Sequence, residues 1–137
     1  MRIEMIEVET RSFKEPVLFT NLLFLFNGAF WMMVGQTAAA IIVTLTGLAS
    51  LSYHIPKESV KITHDIDVCC AHVALLFTLY VIFPYANLTD WLALFGILGI
   101  GLYTKRRGRL GNYEFWHTLW HLCVFFGQTL MACVTAT

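Results

Sequence analysis

Apolar residues run almost without interruption from position 17 to 54, return from 65 to 83, again from 91 to 103, and close the chain from 115 to 134. A bilayer crossing needs about 20 apolar residues, so the first run is two helices and not one. The break falls at Gly35-Gln36, where glycine allows a tight reversal, which places spans at 17–34 and 37–53. Pro84 stops the third span, a turn over 85–90 leads into a short fourth, and a basic segment separates the fourth from the fifth. Small residues mark the faces expected to pack closely, Ala38, Ala39, Ala40, Gly47 and Ala49 on the second span and Ala93, Gly96 and Gly99 on the fourth. Asn21 and Asn27 read as hydrogen-bonders between helices.

Composition agrees with that pattern. Of 137 residues 58% are hydrophobic and 13% charged, and the mean hydropathy is +0.67. These values describe an all-α, polytopic membrane bundle of about five transmembrane helices, residues 17–137 forming a single domain. The bilayer is therefore an expected partner. Formal net charge is zero, so no general attraction to nucleic acid is expected. Residues 1–16 form a polar arm in which Glu4, Glu7, Glu9 and Glu15 face Arg2, Arg11 and Lys14 in mixed order. A solvated amphipathic arm accounts for it better than a calcium site or a signal peptide.

The positions of the charges predict an orientation. With five spans, all nine Lys and Arg residues fall on one side, in the arm, in the loop holding Lys57 and Lys61, and in the loop holding Lys105, Arg106, Arg107 and Arg109. The positive-inside rule makes that side cytoplasmic, with the carboxyl terminus opposite. Asn87-Leu88-Thr89 is a formal glycosylation sequon in a turn too short to leave the membrane surface, and no modification is expected there. Cys69, Cys70, Cys123 and Cys133 lie in or at the ends of spans and read as small core residues, not as disulfides or thiolate ligands. Trp31, Trp91, Trp116 and Trp120 read as interfacial anchors.

Candidate chemistry gathers at the cytoplasmic ends. His117 and His121 are four apart at the start of the last span, one turn and roughly 6 Å from each other on one helical face, a spacing that suits two ligands of one metal ion. Ser50 and His54 share a face at the end of the second span, and Asp65 opens the third. Five polar groups converging at one depth of a bilayer argue for a function. The types divide into roles: His54, His117 and His121 as an open three-ligand Zn²⁺ site, Asp65 as the carboxylate that takes the proton of an activated water, and Ser50 as a donor to an oxyanion. His72, two turns deeper than Asp65, reads as a partner of a neighbouring helix, and His64 and Asp67 as solvated groups flanking the site.

In order, Ser50-x-x-x-His54, Asp65 eleven residues on, and His117-x-x-x-His121 resemble the CREST superfamily of membrane hydrolases, which includes the alkaline ceramidases and the progestin and adipoQ receptors. The short gap from His54 to Asp65 looks most like the ceramidases. The resemblance implies zinc on the three histidines, Ser50 and Asp65 around the zinc-bound water, and a ceramide-like lipid amide as substrate. Proteins of that family have seven spans, so this chain would be a shortened relative; the sequence leaves open whether a homo-oligomer supplies the cavity walls that the two absent helices provide in the family. Span one has no acidic residue to match the ceramidases' calcium-linked arrangement. Two other classes fit parts of the pattern: a zinc-stabilised receptor or scaffold, and a haem protein with axial histidines. A lipid esterase or phospholipase is the nearest variant of the hydrolase.

Overall fold

A computed structural model describes residues 15–56 and 61–136. The arm at 1–14 and Lys57 lie outside the described residues, and so do the expectations made for them. The described chain folds into five helices: α1 (Pro16–Met33), α2 (Thr37–His54), α3 (Lys61–Ile82), α4 (Leu88–Gly108) and α5 (Tyr113–Thr135). Among the described residues there is no strand.

Local chemistry sets most of the boundaries. Pro16 opens α1, where its missing N–H is no loss. Gly35 takes φ 80°, the left-handed region that lets the chain reverse in the few residues between α1 and α2. Asn87 caps α4, its Oδ1 accepting from the Thr89 and Asp90 N–H groups while the Asp90 carboxylate accepts from Asn87 N–H, a reciprocal capping box. The sequon asparagine thus has its carboxamide committed to a helix start. Asn112 caps α5 by accepting from Phe115 N–H.

Three helices reach further than their apolar runs predict. Helix α3 begins at Lys61 and α5 at Tyr113, and α4 continues through Lys105, Arg106 and Arg107. Hydropathy marks where lipid ends, not where a helix does, and cations in the last turn of α4 suit the negative end of its dipole. Four helices, α1, α2, α3 and α5, are long and apolar enough to cross a membrane. The 21 residues of α4 would reach about 31 Å at 1.5 Å per residue, but its last turn is basic.

Packing follows the order α3, α2, α1, α5, α4, with α3 also touching α5, while the backbones of α3 and α4 do not approach each other closely. Close approach of α1 and α2 depends on Gly47, where an added Cβ would lie 2.9 Å from the Phe24 Cβ. Ala39 and Ala40 are buried beside it in the same interface region, as expected for small residues. On α4 the expectation is displaced: Gly96 and Gly99 face open space, and Gly101 is the glycine that α5 needs, its missing Cβ site lying 2.9 Å from the Trp120 ring. A period of three drifts around a helix of 3.6 residues per turn, so residues so spaced do not keep to one seam.

Buried polar groups tie the bundle together. Asn27 does bridge helices, donating to Phe125 O at 3.1 Å and accepting from Thr129 Oγ1 at 2.9 Å. Asn21 instead donates back to Val17 O within α1. Trp31 is fully buried and not an interfacial anchor; its indole N–H donates to Gln128 Oε1 at 3.2 Å, and Gln128 Nε2 donates to Thr78 Oγ1 at 3.3 Å. One amide thereby joins α1, α3 and α5. Cys69 and Cys133 are exposed, Cys70 and Cys123 are half-buried, and all four are free thiols. Two of them therefore belong to the surface and not to the core.

Candidate metal centre

His54 ends α2, and His117 and His121 stand on the second and third turns of α5, so the two helices bring three imidazoles together at one end of the bundle. One ligand atom from each lies within 4.8 Å of the others. The Nε2 atoms of His54 and His117 are 3.1 Å apart. Two nitrogens bound tetrahedrally at 2.0–2.1 Å would stand about 3.3 Å apart, so this pair already has nearly the separation that one ion imposes. His54 and His121 are buried and His117 half-buried. Three neutral imidazoles form a donor set suited to zinc and to other borderline divalent metals.

The histidines are held from behind. Thr20 on α1 donates its hydroxyl proton to Val17 O at 3.0 Å, so its oxygen is left to accept from His121 Nδ1 at 3.2 Å. That contact assigns the proton to Nδ1 and leaves the Nε2 lone pair for a metal. Phe24 meets the His121 ring edge-on at 5.6 Å. Tyr113 stacks on His117 at 4.8 Å and 20°, and Tyr53 lies against His54 at 4.6 Å. None of these supports was visible in the chain. Thr20 and His121 are 101 positions apart, and only the α1–α5 packing joins them.

Ser50 sits one turn before His54 and is buried. The carboxylate within hydrogen-bonding reach of it is Asp67, not Asp65. Asp65 points outward, its side chain 59% exposed and 3.3 Å from His64 Nδ1. The reason is helical phase. Residues 65 and 67 stand about 200° apart around a helix of 3.6 residues per turn. Asp67 heads the inward stripe that continues through Ala74 and Thr78, whereas Asp65 shares its face with the exposed Cys69, His72 and Leu76. The sequence does contain that signal, since the inward face of α3 carries small residues and Thr78 where the outward face carries Ile66, Val73, Leu76 and Tyr80. Asp67 is thus no solvated bystander. His72 does not reach another helix either; its Nδ1 pairs with Val68 O, one turn back, at 2.7 Å.

These groups share a cavity of about 370 Å³, within the usual range for small-molecule sites. Ser50, His64, Asp67, His72, His117 and His121 line its polar part. Lys105 and Arg109 of α4 also line it, and Lys105 Nζ lies 5.1 Å from the centre of the Trp120 ring. The remainder is apolar and extends along α3, α4 and α5 past Leu75, Leu94 and Val124. A site of this shape places a histidine cluster that could hold a metal ion, and a hydroxyl–carboxylate pair, at the head of an apolar channel. No protein-family model, curated protein or solved structure matches the chain.

Proposed function

We propose that the chain is a multi-pass membrane hydrolase that binds zinc through His54, His117 and His121 and cleaves an amide bond in a lipid. The observation that carries this reading is a cluster of three imidazoles, two of which, His117 and His121, line together with Ser50 and Asp67 a cavity that continues into an apolar channel. Bound there, zinc would supply Lewis acidity toward water and the substrate carbonyl. Asp67 accepts the proton of the attacking water and returns it to the leaving nitrogen as the C–N bond breaks, so that acid and amine leave with protons balanced. The Ser50 hydroxyl turns from Asp67 to donate to the carbonyl oxygen as negative charge builds on it. The apolar channel receives the acyl chain. The order of Ser50, His54, His117 and His121 along α2 and α5 supports a kinship with the CREST superfamily, in a form with fewer helices.

Detergent-solubilised protein should contain about one zinc per chain and release fatty acid from a long-chain amide such as a ceramide. Full zinc with no release from any lipid amide or ester would overturn the hydrolase and leave a metal-tied scaffold. Faster release from the matching ester would make the enzyme an esterase.

The site end is assigned to the cytoplasmic side on the strength of the basic residues clustered there. Reporter cysteines at Lys61 and Arg107, in a background without the four native ones, should react only with reagents applied from the cytoplasm. Labelling from the other side would reverse the orientation.

A further inference from the structure

The proposed substrate has a polar head as well as an amide and a chain, and the channel holds groups that the reaction does not use. Helices α3 and α4 flank it without close approach of their backbones. Helix α5 forms the floor between them, with Trp120, Val124 and Gln128 lining the channel. Only 17% of the apolar window of α3 is buried. In a bilayer, an opening between α3 and α4 would face sideways and admit a single extended chain from the lipid phase. A lipid-facing groove by itself would accept any apolar occupant, but its polar end discriminates by charge.

Lys105, in the last turn of α4, and Arg109, the residue that caps that helix, are four positions apart and both line that end. Lys105 is held over the Trp120 indole, whose ring is itself fixed against Gly101. Across the cavity Asp67 is the acidic lining residue, and Lys105 lies near enough to act on its charge. Two cations against one carboxylate leave a surplus of positive charge at that end, before the charge of a bound metal ion is added. A cation pair at the head of an apolar groove is complementary to an anionic head such as a carboxylate.

We propose that the groove between α3 and α4 binds a single-chain amphiphile with a carboxylate head, its chain along α5 and its carboxylate between Lys105 and Arg109. As a substrate, which rests on the amide-hydrolase reading, this ligand is an N-acyl amino acid. The scissile amide of such a molecule lies only a few bonds from its carboxylate, which matches a cavity where Lys105 and Arg109 share the lining with His117 and His121. Ceramide-like amides carry no such head charge and would leave both cations unused.

Binding tests this separately from turnover. Zinc-loaded full-length protein in nanodiscs of neutral lipid is titrated with radiolabelled N-oleoylglycine, N-oleoylethanolamine and oleoyl lysophosphatidate, and hydrolysis is recorded in parallel. N-oleoylglycine should bind about tenfold or more tightly than the neutral ethanolamide, a preference that falls with salt and disappears in the K105Q/R109Q double variant. That variant should keep its zinc and its affinity for the ethanolamide, which shows that the fold is intact. Equal binding of the two amides, or a preference that survives the double variant, overturns the proposal. Tighter binding of lysophosphatidate overturns the carboxylate assignment, and a dimer whose interface blocks all three probes shows that a second copy fills the groove. Preferential binding of N-oleoylglycine without its hydrolysis retains the ligand site and removes only the enzymatic reading.

Discussion

On the proposed hydrolase reading, Asp67→Asn should lower lipid-amide hydrolysis about 10²–10⁴-fold at unchanged zinc content, the usual worth of a positioned general base, while Asp65→Asn should stay within about twofold of the parent. Asparagine is nearly isosteric with aspartate and can still pair with Ser50, so the fold is preserved and only proton acceptance is lost. The contrast between two carboxylates two residues apart is what makes this measurement decisive. Asp67 faces Ser50 and lines the cavity, whereas the Asp65 side chain is 59% exposed beside His64. Initial rates of fatty-acid release, with metal analysis on the same preparations, give the answer. An inactive Asp65→Asn beside an active Asp67→Asn would reverse the assignment and require α3 to turn by about half a revolution in the working enzyme.

His117→Ala with His121→Ala should strip the metal and abolish turnover, because one remaining imidazole cannot hold a site designed for three. Zinc measured by mass spectrometry should fall from about one per chain to a trace. Full occupancy in the double variant would place the ligands elsewhere. Thr20→Val adds a finer test. It removes the oxygen that accepts from His121 Nδ1 but none of the three ligands, and loss of such an outer partner typically weakens metal binding about 10–100-fold. Valine cannot accept that proton, which leaves the Val17 backbone as the other hydrogen-bond partner of the His121 ring. A Thr20→Val protein with parent affinity for zinc would show that the Val17 backbone and packing against Phe24 suffice to position the ring.

Much of the bundle was legible along the chain because the bilayer imposes long apolar runs and penalises polar groups within them. The break at Gly35, the five helices and the gathering of His54, His117 and His121 at one end all follow from periodicity and position. Depth along a helix is readable in this way, since it is a count of residues at 1.5 Å each. Rotation about the helix axis is not, unless the packed face is known. That is why position alone picked Asp65 over Asp67, at nearly the same depth, although the small residues and Thr78 on the face of Asp67 already marked the side that α3 turns inward. The same blindness exchanged Gly96 and Gly99 for Gly101, and put Trp31 at an interface when its indole is bonded to Gln128 in the core.

By itself, then, the sequence determined the membrane class, the number of helices and the layer in which the histidines meet, because each depends on one-dimensional hydropathy and spacing. The tertiary structure decided which carboxylate stands beside Ser50, that Thr20 meets His121, and that the backbones of α3 and α4 stay apart. Each of these depends on the phase and packing of helices distant in the chain, which are settled by the mutual fit of side chains across the bundle and are encoded in no single stretch.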